Sequence, residues 1–451
     1  MELNPGYKQT EVGVIPEEWG VKRLGDIAHI ATGNTPPTRD PANYGDECFF
    51  VSPGDLGDTK YILHTEKKLS QRGLAISRRF PRDSILFVCI GSTIGKCGIA
   101  PFELTSNQQI NAIFPSSAFS TDYLYYSVCA VAPKIRALAG EQAVPIVNKT
   151  QFSGTVVPTP PLPEQRAIAE ALGDVDALLG ALTQLIAKKR DLKQAAMQQL
   201  LTGQTRLPGF SGEWEAVTAG EIGTFRGGNG FPLRLQGGSQ GLYPFYKVSD
   251  MNTEGNETFM TASNNWISES VRKALGAIAF PANSIVFAKV GAAIFLERKK
   301  ILTQSGCIDN NMTAFVLKAD RADCRFVHYL FLDTKLAALV ATTALPSLNG
   351  KQLSELPFAL PPLAEQTAIA AVLSDMDAEL AALEHRLAKT LAQLRRDDPG
   401  CDIGRTPGGE SDENLDGLLR PRLRERCAAR KEHGACRAQR GDQGESNRFQ
   451  L

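Results

Sequence analysis

The sequence lacks any apolar stretch long enough to cross a membrane, and its first ten residues are polar, unlike a secretory signal. Its nine cysteines are scattered, without a CxxC pair or a Cys/His cluster at zinc spacing. We therefore expect a cytoplasmic protein without a disulfide framework. Cys89 and Cys97 flank a glycine-rich turn, and we expect them to be small buried hydrophobes.

The sequence also lacks a surplus of either charge, since 49 basic residues balance 49 acidic ones. This balance counts mildly against nucleic-acid binding, because contacts to phosphate need Lys and Arg. A total of zero can nevertheless hide a basic face beside acidic helices. The net charge therefore excludes no class of function.

No complete catalytic motif is present. Gly91-Ser-Thr-Ile-Gly-Lys96 is one residue shorter than a P-loop and is followed by Cys97 rather than Ser or Thr, so it predicts a turn at a domain rim. Glu297-Arg-Lys299 could form half of a nuclease site, but no second acidic motif precedes it, and surface charges are expected there. The five histidines form no spaced pair. We expect neither catalysis nor a metal site in this chain.

An internal repeat is the most informative feature. Glu18-Trp19 recurs 195 residues further on as Glu213-Trp214, and Phe80-Pro81 recurs as Phe280-Pro281. The motif that begins at Pro161 recurs at Pro362, so the shift drifts only to 201. The chain therefore contains two copies of a unit of about 200 residues, which is a typical domain size.

The first part of each unit contains short apolar runs separated by Gly, Pro, Asn and Asp. The runs at residues 84–90 and 284–290 predict buried strands that end at a glycine turn. Residues 123–138 and their counterparts 326–340 predict helices. The predicted fold is a compact domain of mixed α/β (α+β) class.

The second part of each unit is predicted to be a long helix. Its apolar residues recur with the 4-3-4-3-4 spacing of a coiled-coil seam. A helix over residues 164–201 would span about 57 Å at 1.5 Å per residue. The predicted helix-packing residues are Ile168, Leu172, Val175, Leu179, Leu182 and Ile186 in the first copy, and Ile369, Leu373, Met376, Leu380, Leu383 and Leu387 in the second.

The two copies stop matching after about Lys389. Pro399 and Gly400 should end the second helix, which is predicted to be about one third shorter than the first. From residue 395 the chain carries eleven Arg but one Lys and almost no apolar periodicity, which predicts disorder. This composition suits translation in the wrong reading frame, and an arginine-rich tail that touches DNA is the alternative.

Several motifs, taken in their order, resemble the specificity subunits of type I restriction enzymes. They are Tyr7-Lys-Gln-Thr-Glu-Val-Gly13, Ile15-Pro-Glu-Glu-Trp19, Leu24-Gly-Asp-Ile27, Pro161-Leu-Pro-Glu-Gln165 and Leu192-Lys-Gln194 leading to Leu200-Leu-Thr-Gly203. The resemblance covers about residues 7–394. It implies a first target recognition domain at 1–160, a spacer helix at 161–205, a second recognition domain at 206–360, a shortened spacer helix at 361–394, and a tail at 395–451.

The resemblance further implies that each recognition domain reads one half of a bipartite double-stranded DNA site. The spacer helices would pack antiparallel, act as a ruler and dock two methyltransferase subunits, with restriction and translocase subunits joining for cleavage. The complex would be a site-specific deoxyribonuclease and adenine methyltransferase. Its cofactors S-adenosylmethionine, ATP and magnesium would belong to the partners. A coiled-coil scaffold whose repeated domains bind no DNA is the alternative.

Candidate DNA-binding residues follow from hydrogen-bonding capacity. Asn and Gln can bind adenine through two hydrogen bonds, which favours the amides of the first unit and their counterparts as base readers. The same amides could instead cap turns. Lysines beside the glycine turns could bind phosphate, whereas Gly33-Asn34 and Gly228-Asn229 are interpreted as structural turns. The candidates are Lys96, Asn107, Gln108, Gln109, Lys247, Lys289, Asn310 and Asn311, the last two following Asp309.

Overall fold

The computed structural model describes residues 5–57, 59–140, 143–340 and 346–397. The chain divides into two compact units. Unit 1 comprises Met1–Thr183 with Arg386–Leu451, and unit 2 comprises Gln184–His385. The predicted disorder of the tail concerns residues that, from 398 onward, lie outside the described part of the chain.

Unit 1 alternates short strands with short helices, as its glycine- and proline-rich sequence predicts. Its helices are α1 (Leu24–Ile27), α2 (Gln71–Ala75), α3 (Thr121–Ala137) and α4 (Lys149–Ser153). Its strands are β1 (Tyr7–Thr10), β2 (Gly13–Pro16), β3 (Gly20–Arg23), β4 (Ile30–Thr32), β5 (Tyr44–Val51), β6 (Lys67–Leu69), β7 (Arg79–Phe80), β8 (Ile85–Val88), β9 (Cys97–Ile99), β10 (Leu104–Ser106), β11 (Ile110–Ile113) and β12 (Val156–Thr159).

Two four-stranded sheets form the centre of unit 1, in the orders β6-β5-β10-β7 and β4-β11-β8-β9. Every residue of β8 and β11 is buried. Strand β8 is a continuous apolar run, as expected of a strand that is covered on both faces. The Phe87 ring stacks on Phe152 of α4 with the centroids 5.0 Å apart. The predicted strand at residues 84–90 is therefore a core strand that ends before Gly91.

Unit 2 repeats this plan. Its helices before the second long helix are α6 (Ala219–Ile222), α7 (Glu269–Ala274), α8 (Cys324–Asp333) and α9 (Gly350–Ser354), where α5 denotes the first long helix described below. Its strands are β13 (Glu215–Thr218), β14 (Gly223–Gly227), β15 (Tyr243–Tyr246), β16 (Phe259–Met260), β17 (Trp266–Ile267), β18 (Ile285–Ala288), β19 (Lys299–Leu302), β20 (Cys307–Ile308), β21 (Met312–Leu317) and β22 (Pro357–Leu360). They form sheets in the orders β14-β21-β18-β19-β16, β17-β15-β20 and β13-β22.

The prediction of one continuous helix over residues 326–340 is wrong for the second half of this range. Helix α8 ends at Asp333, because Thr334 adopts an extended backbone, and a separate 3-10 helix spans Leu336–Leu339. Both carboxylate oxygens of Glu297 accept hydrogen bonds at the start of this short helix, from the backbone N–H groups of Leu336 and Ala337. A side chain about 40 residues away in sequence therefore begins a new helix, and local periodicity could not predict it.

Each unit leads into a long helix from an antiparallel strand pair. Strand β12 pairs with β3, with Thr159 opposite Gly20, and the chain continues into α5 (Leu162–Leu200). Strand β22 pairs with β13 and continues into α10 (Leu363–Asp397). The two helices have 39 and 35 described residues, so within the described part of the chain the second falls four residues short of the first and not the predicted third. Residues 390–397 contain no Gly or Pro, and helix propensity carries α10 past the point where the copies diverge.

Candidate nucleic-acid interface

The predicted base-reading amides of unit 1 lie in the turn between β10 and β11. Asn107 and Gln109 bond to each other, because Asn107 Nδ2 donates to Gln109 Oε1 at 3.0 Å and the Gln109 backbone N–H donates to Asn107 Oδ1 at 3.0 Å. Gln108 is exposed, and its Oε1 accepts a hydrogen bond from Thr35 Oγ1 at 2.6 Å. The turn therefore uses two amides to hold its own shape and presents the third, Gln108, to solvent.

The equivalent turn of unit 2 lies between β20 and β21. Asp309 is buried, and its Oδ1 accepts the backbone N–H of Asn311 at 3.0 Å. Burial raises the pKa of the Asp309 carboxyl. Asn310 and Asn311 are exposed, and the Asn311 carbonyl accepts the backbone N–H of Lys289 at 2.8 Å. This turn is built like the first but presents different side chains.

Gly33 lies directly under the turn of unit 1, and Asn34 ties the neighbouring loop at residues 76–78. A Cβ at Gly33 would overlap the Asn107 carbonyl oxygen, so only glycine allows this approach. Asn34 Nδ2 donates to the Ile76 carbonyl at 3.0 Å, and Asn34 Oδ1 accepts the backbone N–H of Arg78 at 2.6 Å. Gly33-Asn34 therefore has the structural role that the sequence predicts.

Gly228 and Asn229 repeat this arrangement in unit 2. A Cβ at Gly228 would overlap the Asp309 carbonyl oxygen. Asn229 Nδ2 donates to the Gly276 carbonyl at 3.2 Å, and its Oδ1 accepts the backbone N–H of Ile278 at 3.0 Å. Both units therefore share one frame, a glycine under the turn and an asparagine that ties a neighbouring loop.

The three candidate phosphate-binding lysines are all half-buried. The Lys96 stem lies against Gly57, and the Lys289 ammonium lies over Gly227, where a Cβ would collide with Nζ. Lys247 Nζ donates to Gln236 Oε1 at 2.7 Å. Lys289 lies beside the exposed turn of unit 2, since its backbone N–H bonds to the turn residue Asn311.

Arg78 is a further candidate, which no sequence motif singles out. This exposed residue follows the loop held by Asn34, and its Nη1 donates to the Thr32 carbonyl at 2.7 Å. A signal was available, because the pair Arg78-Arg79 becomes Ile278-Ala279 in the second copy. A difference in charge on a shared frame is the pattern expected of residues that contact different DNA sequences.

The interpretation of residues 297–299 as surface charges is wrong for Lys299. This residue lies in β19 with its side chain almost fully buried, and it pairs with Glu297 and donates to the Thr334 carbonyl. Burial lowers the pKa of the Lys299 ammonium. Glu297 and Lys299 both bond to backbone groups at or just before the start of the 3-10 helix, so their role is structural. In the part of the chain that the structure describes, no group of three or more His, Cys, Asp or Glu side chains could hold a metal ion.

The two cysteines beside the glycine turn are buried, as expected of small hydrophobes. Asn111 Nδ2 donates to the Cys89 sulfur at 3.1 Å, and burial raises the pKa of the Cys89 thiol to about 12. Cys97 lies with its sulfur 2.9 Å from that of Cys129 of α3. Cys89 therefore stays protonated and is a poor nucleophile.

The predicted helix-packing residues fall into two groups by exposure. The buried ones are Leu179, Leu182, Ile186, Ile369, Leu373 and Leu380. The half-buried ones are Ile168, Leu172, Val175, Met376, Leu383 and Leu387. The apolar seam is therefore partly covered, and its coverage differs between the two copies at corresponding positions.

Charged pairs join the two long helices within unit 2. Lys189 Nζ lies 2.8 Å from Glu379, Arg190 Nη2 lies 2.6 Å from Glu384, and Lys193 pairs with Asp377. From Arg190 to Lys193 along α5, the partner residue moves back along α10 from Glu384 to Asp377. The helices therefore run antiparallel within this unit.

A glutamine anchors the first turn of each long helix. Gln165 Oε1 accepts the Ser120 N–H at 3.0 Å, and its Nε2 donates to the Pro160 carbonyl at 2.9 Å. Gln366 does the same with the Asp323 N–H and the Pro361 carbonyl, each at 2.8 Å. The glutamine of the repeated Glu-Gln motif thus fixes the direction in which each helix leaves the globular part of its unit. None of the helices within the described ranges combines the length and apolarity of a membrane span.

Comparisons with known proteins give a consistent result. A family model described as the type I restriction modification DNA specificity domain matches residues 16–190 and again residues 211–393. The specificity subunit of the type I restriction enzyme MjaIX from Methanocaldococcus jannaschii is 25% identical over 384 residues, covering 79% of this chain and 86% of the relative. The HindI specificity subunit from Haemophilus influenzae is 30% identical over 151 residues, covering 32% and 33%. The solved S subunit of a type I restriction-modification system from M. genitalium shares the fold, with a TM-score of 0.57 at 14% identity over 90% of this chain and 99% of that one.

Proposed function

The chain belongs to the family of type I restriction modification DNA specificity proteins, and we propose that its two units read the two halves of one asymmetric DNA site. DNA recognition is the role of this family, and both repeats match its domain. Each half-site would be read by the exposed side chains of one unit. The base pairs between the halves would affect binding only through their number.

One observation carries this proposal: the two units build the same turn with the same backbone arrangement, but the side chains that the turn exposes differ between them. In both units a glycine lies under the turn, and the asparagine that follows it ties a neighbouring loop. The turn then presents Gln108 in unit 1 and Asn310 with Asn311 in unit 2. Two such domains should differ in the bases they prefer, because base reading depends on the donors and acceptors of individual side chains.

The long helices support the proposed assembly role. Each leaves its domain from a fixed strand pair and glutamine anchor, which suits a stiff spacer. Two methyltransferase subunits would dock on the spacer, and restriction and translocase subunits would join the complex. S-adenosylmethionine, ATP and magnesium would be bound by those partners, which would perform adenine methylation and DNA cleavage. This chain would provide recognition and no chemistry.

Methylome sequencing of cells that co-express the chain with its methyltransferase partner tests the proposal. We expect adenine methylation at an asymmetric sequence with an unread spacer, and a continuous or palindromic motif would contradict it. Replacing residues 15–160 by the corresponding domain of another family member should change one half of the motif and leave the other half and the spacer length unchanged.

A coiled-coil scaffold that binds no DNA is the alternative function, and the family match favours DNA recognition over it. A mobility shift separates the two directly. The partner-bound complex should retard its target duplex, and the affinity should fall steeply as the salt concentration rises, because binding releases counterions from the phosphates. A scaffold would show no shift at any salt concentration.

A further inference from the structure

The end of α5 fills a groove in unit 2. Met197, Leu200 and Leu201 are buried in the main core of that unit. Five residues beyond Leu201, Arg206 pairs with the carboxylate of Glu365 at the bottom of the groove. Arg206 Nε donates to Glu365 Oε1 and Arg206 Nη2 donates to Glu365 Oε2, each at 2.6 Å. Glu365 is completely buried. The segment thus combines an apolar helix end with one charged clamp.

A tryptophan forms the wall of the same groove. The Arg206 guanidinium lies 5.6 Å from the centre of the Trp214 ring, and Trp214 packs against the core that receives the helix end. The buried Trp214 Nε1 has no hydrogen-bond partner among the described residues. Arg206 takes both carboxylate oxygens of Glu365, in the bidentate geometry that a guanidinium prefers, and Trp214 does not bond to this carboxylate.

The corresponding residues of unit 1 are arranged differently. Trp19 Nε1 donates directly to Glu164 Oε2 at 3.0 Å. Ile168 and Leu172 are only half-buried. Their counterparts in unit 2, Ile369 and Leu373, are 1% and 0% exposed. Unit 1 therefore keeps the tryptophan, the carboxylate and the apolar residues, but with greater exposure along the helix.

The sequence explains the difference between the copies. A second copy of the filling segment would lie 201 residues after the first. The residues there are Asp398, Cys401 and Asp402 in place of Met197, Leu200 and Leu201, and Pro407 in place of Arg206. These positions lie outside the described residues, and their chemistry does not match the groove.

We propose that the face of unit 1 formed by Trp19, Glu164, Ile168 and Leu172, here called the Trp19 face, binds the end of a helix from a second polypeptide. The ligand has the pattern of residues 197–206, an apolar helix end followed five residues later by arginine. On binding, the arginine takes Glu164 away from Trp19, as Arg206 holds Glu365 in unit 2.

Charge and shape both favour this occupant over other partners. A half-buried carboxylate beside apolar side chains repels DNA phosphate and attracts a guanidinium. A second copy of this chain is less suited, because its own segment is already buried in its unit 2. The face does not include any residue of the proposed DNA interface, so the proposal stands independently of the DNA sequence read.

The test uses the full chain and a fluorescently labelled peptide of residues 193–207, followed by anisotropy. We expect saturable binding with one peptide per chain. A peptide with Arg206→Met should bind about tenfold more weakly, since it lacks the charged clamp. The chain variant Glu164→Gln should weaken the unmodified peptide by a similar factor and remove the difference between the two peptides. Asp191→Asn, an exposed carboxylate of the same helix, is the matched control and should change nothing.

Three results would overturn the proposal. The peptide could fail to saturate the chain, or it could bind with an affinity that Glu164→Gln does not change. Sensitivity to Glu365→Gln instead would mean that the peptide exchanges into unit 2. Self-association of the chain that Glu164→Gln abolishes would assign the Trp19 face to a second copy.

Discussion

The Tyr126 hydroxyl donates a hydrogen bond to Asp176 of α5, with 2.6 Å between the two oxygens. The second copy preserves this relationship, because the Tyr329 hydroxyl donates to Asp377 of α10 at the same distance. Burial raises the pKa of Tyr329 to about 12, so the phenol remains a donor at neutral pH. Each recognition domain is thus pinned to its own spacer helix by one tyrosine and one carboxylate.

The Tyr329 pin should contribute measurably to stability. In a double-mutant cycle with Tyr329→Phe and Asp377→Asn, we expect a coupling of about 1 kcal/mol in the free energy of unfolding, the usual net value of a partly buried hydrogen bond. Denaturant unfolding of the four variants measures it. Asp375→Asn, an exposed neighbour on α10, should show no coupling to Tyr329. Coupling of the same size at Asp375 would mean that helix charge, and not the hydrogen bond, is responsible.

Substitutions of Gln108 and Asn107 should have different effects, because Gln108 is proposed to read a base and Asn107 stabilises the turn. Gln108→Ala should relax preference at one base of the first half-site, by about 1–3 kcal/mol of discrimination, while unfolding stays unchanged. Asn107→Ala should instead lower stability by about 1 kcal/mol, because it removes both bonds to Gln109. Binding of the partner-bound complex to a panel of single-base variants, alongside denaturant unfolding, distinguishes the two. A specificity change from neither variant would place base reading elsewhere in the domain.

Lys289 should contribute to affinity without contributing to sequence preference. Lys289→Met should weaken binding to all duplexes alike and reduce the slope of log affinity against log salt by about 1, as expected for one lost phosphate contact. The control is Lys318→Met, because Lys318 lies at the opposite end of β21 and bonds to the Glu221 carbonyl. An unchanged salt slope for Lys289→Met would remove this lysine from the interface.

His328 should make unit 2 sensitive to acid. Burial lowers its pKa to about 4, from an ordinary value of about 6.5. The unfolded chain takes up the proton first on acidification, so stability is lost as the pH falls from about 6.5 to about 4, by at most about 3 kcal/mol. His328→Gln should flatten this part of the pH–stability curve, whereas His64→Gln, an exposed histidine, should not. Equal slopes for wild type and His328→Gln would contradict the prediction.

The Glu297–Lys299 pair should respond asymmetrically to mutation. Glu297→Ala leaves the Lys299 ammonium buried and the N–H groups of residues 336 and 337 without their acceptor, and should cost about 3 kcal/mol. Lys299→Met should cost less, because Glu297 is partly exposed and keeps its backbone partners. Arg298→Gln is the adjacent control. Chemical denaturation measures the free energy of unfolding of the three variants. A larger loss of stability for Lys299→Met than for Glu297→Ala would contradict the prediction.

The repeat made much of the fold predictable. Glu18-Trp19 and the motif at Pro161 each recur, and the two strand pairs and two long helices follow that recurrence. Continuous apolar runs correctly marked the buried strands at residues 85 and 285. The prediction of a continuous helix over residues 326–340 is wrong because the helix is interrupted where Glu297 caps a new one, and no local sequence pattern reveals this contact. The charges at 297–299 were misread for the same reason, since exposure depends on what packs above a strand.

The candidate DNA-binding residues show the same division. Side-chain chemistry selected Asn107, Gln108 and Gln109 as a group, because all three carry paired donors and acceptors. Only the folded turn distinguishes their roles, since Asn107 and Gln109 hydrogen-bond to each other across it and Gln108 does not take part. Arg78 was passed over because its place beside Asn34 arises from residues 44 apart in sequence.

The sequence by itself determined the duplicated architecture, the class of each element and the family, because repeats, periodicity and ordered motifs are written along the chain. Tertiary structure alone decided which equivalent residues play different roles. Glu164 bonds to Trp19 while Glu365 is held by Arg206, although both occupy the same place in one motif. The physical reason is that a carboxylate partly or fully removed from solvent bonds to the donor that the fold brings to it, and that donor comes from a segment distant in sequence.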